Sequence, residues 1–311
     1  MTRVILESMR SPTALRAAAL AGTLIASVAL PATTASAARP RPTAAQYVAL
    51  GDSYAAGDGA GSYLSDGTTC YRSLSGYPGL IAKSNGYALN LQACSGATVG
   101  DVNATQLGTL SSKTAKVTIT VGGNDIGFAS TLSTCLGSDT TACLNAVAVA
   151  NTKITTELPN SLGTLFAAIK AKAPNATIVA TTYPRLFNGT DCSWLTSFTS
   201  AEMVALNAGA DTLATTILAA AQTAGIRGVD VRTPFDGHAV CDSSAWIHNA
   251  SLFAQYESFH PNSSGYLYGY KPSVASGLTA TAAASGGAMT VTTGGQTSSD
   301  TNRGKVAIPR G

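Results

Sequence analysis

A three-layer α/β/α domain built on a parallel sheet of about five strands is what this sequence predicts, on three observations. Five short runs rich in β-branched residues are near-continuously apolar, as strands buried on both faces are. Longer segments with helical patterning separate them, so strand and helix alternate along the chain. Hydrophobic residues make up 45% of 311, which supplies the material for one sizeable core.

The elements follow in order. YVALG (47–51) is the first strand and YALNLQ (87–92) the second, with the helical stretch YPGLIAKSN between them. KVTITVGG (116–123) is the third strand. The long apolar segment LNAVAVANTKITTELPNSLGTLFAAIKAKAP reads as helix, and Pro159 within it should kink or split it. ATIVATTY (176–183) is the fourth strand, and SAEMVALNAGADTLATTILAAAQTAG is a helix that stops at Gly225. GVDVR (228–232) is the fifth strand, and a long loop then leads to a last helix around NSSGYLYGY. Such alternation implies right-handed crossovers between parallel strands.

Charge excludes some partners. Only 11% of residues are charged and the formal net charge is +3, so neither a nucleic-acid groove nor an anionic-membrane patch is expected. Residues 1–37 look like an export signal: Arg3, Arg10 and Arg16 precede the apolar AAALAGTLIASVAL, and Ala35-Ser36-Ala37 forms a small-x-small cleavage site, with Met9 an alternative start. That apolar run falls short of the about 20 residues a bilayer span requires, so no stable membrane insertion is expected. Residues 38–276 are expected to form the folded domain. From 277 to 311 the chain turns to Ala, Gly, Ser and Thr without periodicity, the composition of a flexible tail.

Six cysteines in an exported chain favour disulfides over metal ligands. Among about 15 possible pairings, the sequential one, Cys70–Cys94, Cys135–Cys143 and Cys192–Cys241, closes each loop between predicted elements.

In open α/β sheets ligands bind at the carboxyl ends of the strands. After the first strand stands Gly51-Asp52-Ser53; after the second, Ser95-Gly96-Ala97; after the third, Gly123-Asn124-Asp125. After the fourth comes Tyr183-Pro184-Arg185, and the final long loop ends in Glu257-Ser258-Phe259-His260. One edge thus offers a hydroxyl, an imidazole, an amide and glycine backbone, the parts of an acyl-transfer site. Each piece has an ordinary structural reading as well. Gly-Asp-Ser is a common turn tripeptide. The glycines at 57, 59 and 61 do not have the dinucleotide spacing, and no acidic residue ends the second strand where a ribose would be held. His238 and His248 read as structural histidines, whereas His260, in the loop before the last helix with a carboxylate three residues upstream, is the candidate base.

GDSY, ACSGAT, GGND and SFHP, in this order and at these separations, resemble the four blocks of the SGNH (GDSL) hydrolases, in particular the secreted actinomycete esterases and lipases with six cysteines. The resemblance runs from about Tyr47 to about Tyr270. It implies a flavodoxin-like arrangement of the layers and hydrolysis of esters. It also implies Ser53 as nucleophile, His260 as base, and the Ser53 and Gly96 backbone N–H groups with Asn124 as an oxyanion hole. The family's last block usually reads Asp-x-x-His, and here position 257 is Glu. Either Glu257 or the backbone carbonyl of Ser258 orients the imidazole.

Elementary chemistry agrees with these roles. A serine hydroxyl needs a neighbouring imidazole to take its proton, and glycine at 96 lets an N–H approach a reacting carbonyl without a Cβ in the way. Asp52 and Asp125 read as turn-holding residues, and GxSxG is absent. The expectation is a secreted, monomeric serine esterase or lipase acting on a small-molecule or lipid ester, without metal or organic cofactor. A carbohydrate acetylesterase or a secreted binding module without catalysis are the alternatives. Phe128, Phe187 and Trp194 are expected to serve packing more than substrate contact.

Overall fold

The computed structural model describes residues 43–279. The export signal expected at 1–37, and the expected tail from residue 280 onward, lie outside these residues.

Five parallel strands, β1 (Gln46–Gly51), β2 (Ala88–Leu91), β3 (Thr114–Thr120), β4 (Thr177–Thr181) and β5 (Arg227–Val229), form one sheet in the order β2-β1-β3-β4-β5. That is the flavodoxin-like order, with its reversal between β1 and β3. The apolar runs explain the centre: Tyr47, Val48, Ala49 and Leu50 of β1 and Val117 and Ile119 of β3 are buried. The third strand is shorter at its end than predicted, because Gly122 and Gly123 already belong to the loop, and the fifth stops at Val229.

The helices are α1 (Ser53–Ala56), α2 (Tyr77–Asn85), α3 (Val99–Asp101), α4 (Phe128–Cys135), α5 (Thr140–Thr156), α6 (Leu158–Lys172), α7 (Ser200–Thr223) and α8 (Lys271–Thr279). Helices α2 and α8 pack together on one face, and α5, α6 and α7 pack on one another away from them, with α7 against β4 and β5. Pro159 divides the long apolar segment as expected: α5 ends at Thr156 and Pro159 sits in the first turn of α6, where its missing N–H has no partner to lose. Helix α7 is long and apolar enough, by length and composition, to cross a membrane, yet Met203, Leu206, Leu213 and Ile217 are buried in the core.

One sequence expectation needs correction, and one helix was not foreseen. The fold runs past 276: residues 277–279 complete α8, Leu278 is buried, and its carbonyl accepts from Lys116 Nζ at 2.8 Å. Helix α4, which patterning did not mark, follows directly on the GGND loop and forms a wall of the site. The cysteines pair Cys70–Cys94, Cys135–Cys143 and Cys192–Cys241.

Gly51, at the end of β1, has φ +121°, and a Cβ there would stand 2.0 Å from the Thr120 carbonyl oxygen. Only glycine lets the chain leave β1 this close to β3, which is how Asp52 N reaches Thr120 O at 2.9 Å and the turn into α1 is set.

Candidate active site

Ser53 opens α1 just beyond the carboxyl end of β1. Asp52 is the N-cap, its carboxylate accepting from Tyr54 N at 3.0 Å and from the Tyr183 hydroxyl. Tyr183 Oη also accepts from Gly123 N at 3.1 Å, so one phenol ties the turn that carries Ser53 to the loop after β3. Burial holds the Asp52 carboxyl up at about 7, against the hydrogen bonds from Tyr183 and the backbone that favour its charged form.

His260 arrives from the opposite end of the domain. Its Nε2 lies 2.7 Å from Ser53 Oγ, and its Nδ1 lies 3.1 Å from the Ser258 carbonyl oxygen. A carbonyl only accepts, so Nδ1 carries the proton and Nε2 keeps a lone pair for the serine O–H. Burial lowers the imidazole to about 4, outweighing the Ser258 bond that favours the cation. The ring is therefore neutral, the form a base needs.

The turn before His260 is held from three sides. Phe259 adopts φ +61°, a left-handed conformation a bulky residue resists. Its N–H donates to His248 O at 3.0 Å and its carbonyl accepts from Tyr54 Oη at 2.7 Å. His248 Nε2 in turn bonds Gly59 O at 2.8 Å. Glu257 faces away from the imidazole: its carboxylate accepts from Tyr63 Oη at 2.6 Å, and Tyr63 Oη accepts from Gly59 N at 2.9 Å. Of the two groups proposed to orient His260, the Ser258 carbonyl is the one in contact with it.

Gly96 takes φ +79°, and no atom stands within 4 Å of where its Cβ would be. Its open side is the cleft. Ser95 beside it donates to Asp58 Oδ2 at 2.7 Å, and the buried Asp58 carboxyl is pushed up to about 8 by that burial. Asn124 Nδ2 donates to Ala97 O at 3.0 Å, fixing the amide and leaving its second hydrogen available. Asp125 accepts from Val99 N at 3.1 Å, the structural part expected of it.

Ser53, Gly96, Asn124 and His260 all line one cleft of about 550 Å³. The strand order explains the meeting: Ser53 follows β1 and Asn124 follows β3, the two neighbours at which the order reverses, and crossovers leaving in opposite directions open a crevice there. The aromatic expectations divide. Phe187 packs against Phe198 and Phe259, whereas Phe128 lines the cleft and Trp194 is 86% exposed, so neither of these two is buried packing. His238 stacks on Trp246 at 3.6 Å and its Nδ1 meets Ser244 O, away from the cleft. Sequence reasoning passed over Tyr54, Tyr63 and Asp58, whose roles depend on partners far away in the chain; only Tyr54, next to Ser53, carried a local signal.

The GDSL-like Lipase/Acylhydrolase family model matches residues 49–267. The chain is similar to Lipase 1 of Streptomyces coelicolor, at 42% identity over 243 residues, 78% of this chain and 89% of that protein. It is equally similar to the lipase of Streptomyces rimosus, at 42% over 261 residues, 83% of this chain and 96% of the other. Among solved structures, the extracellular lipase of Streptomyces rimosus superposes with TM-score 0.72 at 40% identity, covering 75% of this chain and 100% of that one. Phospholipase A1 of Streptomyces albidoflavus gives TM-score 0.72 at 37% identity, covering 75% and 99%.

Proposed function

The chain belongs to the GDSL-like lipase/acylhydrolase family, and from that premise we propose that its cleft hydrolyses carboxylic esters of the lipid type through an acyl enzyme on Ser53. The observation that carries the residue roles is the 2.7 Å approach of His260 Nε2 to the buried Ser53 Oγ.

Ser53 Oγ attacks the ester carbonyl while its proton passes to His260 Nε2. The negative charge that develops on the carbonyl oxygen is met by the Ser53 and Gly96 backbone N–H groups and the second hydrogen of the Asn124 amide. A single donor of this kind is typically worth about 10² to 10³ in rate. Collapse of the tetrahedral species breaks the ester C–O bond, and His260 returns the proton to the departing alcohol. Water then repeats the sequence on acyl-Ser53, giving the carboxylic acid and free serine. Throughout, the Ser258 carbonyl holds the Nδ1 proton and stabilises the imidazolium as a dipole, in the place where a triad has a carboxylate.

Carbohydrate deacetylation and a module without catalysis fit these observations less well: the relatives are lipases and a phospholipase A1, and the dyad is assembled. Three disulfides and an extracellular relative support an exported enzyme. The test is a fluorophosphonate probe with p-nitrophenyl butyrate turnover alongside. Ser53 should be labelled in folded protein, and Ser53→Ala should abolish both labelling and turnover. A wild-type protein that neither labels nor hydrolyses any ester would overturn the reading.

A further inference from the structure

Asp58 is a buried carboxylic acid that takes no part in the proton transfers between Ser53 and His260. It is wholly removed from solvent; its Oδ2 accepts from Ser95 Oγ at 2.7 Å, and its Oδ1 has no partner among the described residues. Taking a carboxyl out of water costs free energy that one hydrogen bond offsets only in part, and an apolar side chain would fill the same space without that cost. Packing therefore does not account for it.

Its place in the fold does. The Asp58 N–H donates to Ser53 O at 3.0 Å, which fixes its backbone to the nucleophile's own carbonyl, and Tyr266 Oη donates to Asp58 O at 2.8 Å. The next residue, Gly59, lies so close to the base that a Cβ on it would stand 2.4 Å from Pro261 O and 3.2 Å from His260 Cβ. From this anchored backbone the side chain reaches across to the loop after β2 and holds Ser95, the residue before Gly96. Gly96 is exposed, and no atom stands within 4 Å of where its Cβ would be, so packing does not locate its peptide. On the far side Ala97 is fixed, its N–H donating to Cys94 O at 3.1 Å and its carbonyl accepting from Asn124 Nδ2 at 3.0 Å. On the near side Ser95 N donates to Cys70 O at 3.2 Å, and the bond to Asp58 is the shorter of the two. The Gly96 N–H belongs to the rigid peptide plane that begins at the Ser95 Cα, so whatever fixes Ser95 aims that N–H.

We propose that Asp58 is a positioning residue for the oxyanion hole: through Ser95 it holds the Gly96 N–H at a fixed place relative to Ser53. The inference rests on the ester-hydrolase reading and adds to it the residue that aims one of the donors. Burial above all, and after it the carboxyls of Asp52 and Glu257, favour the uncharged form of Asp58. An uncharged acid still accepts from Ser95, and it sets no negative charge close to the oxygen on which the transition state places one. A donor to that oxygen matters only once the charge has developed, so misplacing it lowers kcat and leaves substrate binding as it was. A whole donor is typically worth about 10² to 10³ in rate, and one displaced rather than removed keeps part of that, which leaves a loss of about 10- to 100-fold.

The experiment measures kcat and KM separately on p-nitrophenyl butyrate, with active enzyme counted by fluorophosphonate titration carried to completion. Ser95→Ala and Asp58→Leu should each lower kcat by about 10- to 100-fold with KM within about twofold of wild type. The double variant should lose no more than the worse single one, because both break the same bond. Asp58→Asn keeps an uncharged acceptor for Ser95 and should recover kcat to within about threefold of wild type. Ser95 is only half-buried, so Ser95→Ala decides the matter if Asp58→Leu does not fold. A Ser95→Ala enzyme with wild-type kcat, or an Asp58→Asn enzyme as slow as Asp58→Leu, would overturn the inference while the ester reading stands. A loss confined to KM would put Ser95 on the substrate instead and overturn it equally. A wild type that hydrolyses no ester removes the reading and the inference together.

Discussion

Replacing Glu257 by glutamine separates two designs of this site. In a Ser-His-Asp triad the amide equivalent of the acid loses about 10⁴ in kcat, because the imidazole takes the wrong tautomer. Here the Nδ1 proton is held by the Ser258 carbonyl at 3.1 Å, which the substitution leaves in place. What changes is the bond from Tyr63 Oη, 2.6 Å from a carboxylate oxygen, which becomes a bond to a neutral amide. Exchanging a charged acceptor for a neutral one typically forfeits about 1 kcal/mol. That loss falls on the stability of the 255–260 turn before it reaches the reaction. The expected outcome is kcat/KM on p-nitrophenyl butyrate within about fivefold of wild type for Glu257→Gln, Tyr63→Phe behaving alike because it removes the same bond from the other side. His260→Ala should lose at least about 10³-fold, the usual worth of a positioned base. Concentrations should be fixed by titrating Ser53 with the fluorophosphonate, so that misfolded protein is not counted. A Glu257→Gln loss as deep as that of His260→Ala would refute the carbonyl-oriented dyad.

The remaining expectations concern pH, the tyrosine strut and the cross-links. With His260 held down at about 4 by burial, the base is available in the native protein above that pH, so kcat/KM should stay level from about pH 8 down to about 5 and fall below; a midpoint near 6.5 would show an unshifted imidazole. Asp58 has the opposite linkage: native protein keeps its proton up to about pH 8 while the unfolded chain loses it near 3.8, so the group's contribution to stability is fully present below about pH 4 and is lost as pH rises toward 8. Asp58→Asn should flatten the fall in Tm between pH 5 and pH 9, and an unchanged slope would count against the shift. Tyr54→Phe leaves the Phe259 carbonyl without its 2.7 Å partner beside a strained residue, so stability should drop by about 1 to 3 kcal/mol in urea melts, with kcat reduced more than KM is raised. Removing Cys192–Cys241, which spans 49 positions, should destabilise by about 4 kcal/mol and removing Cys135–Cys143, which spans 8, by about 2.5, as loop-closure entropy prescribes; equal losses would point to another origin.

The residues of this chain announce whatever depends on near neighbours. Runs such as YVALG and KVTITVGG declare buried parallel strands because both faces of such strands are apolar whatever packs on them. Pro159 marks a helix boundary because its ring and missing N–H act within one turn. Ser53, Gly96, Asn124 and His260 stand out because each follows an element at the edge where α/β sheets bind ligands, and their four blocks together are specific. Helix α4 escaped because FASTLSTC is short and its polar threonines and serines mask the apolar stripe that packs inward.

What the order of residues left open was decided by contacts between distant segments. Glu257 and the Ser258 carbonyl were equal candidates until the chain, folded, placed Tyr63 against the carboxylate and turned Phe259 into a left-handed conformation that brings Ser258 O to the ring. Tyr183 likewise gains its part only when β4 lies beside β3, within reach of both Asp52 and Gly123. The reason is one of range. Backbone preference and hydrophobic period act over a turn or two, whereas a side chain's hydrogen-bond partner and solvent exclusion are properties of the packed interior, which exists only after segments some two hundred positions apart have met.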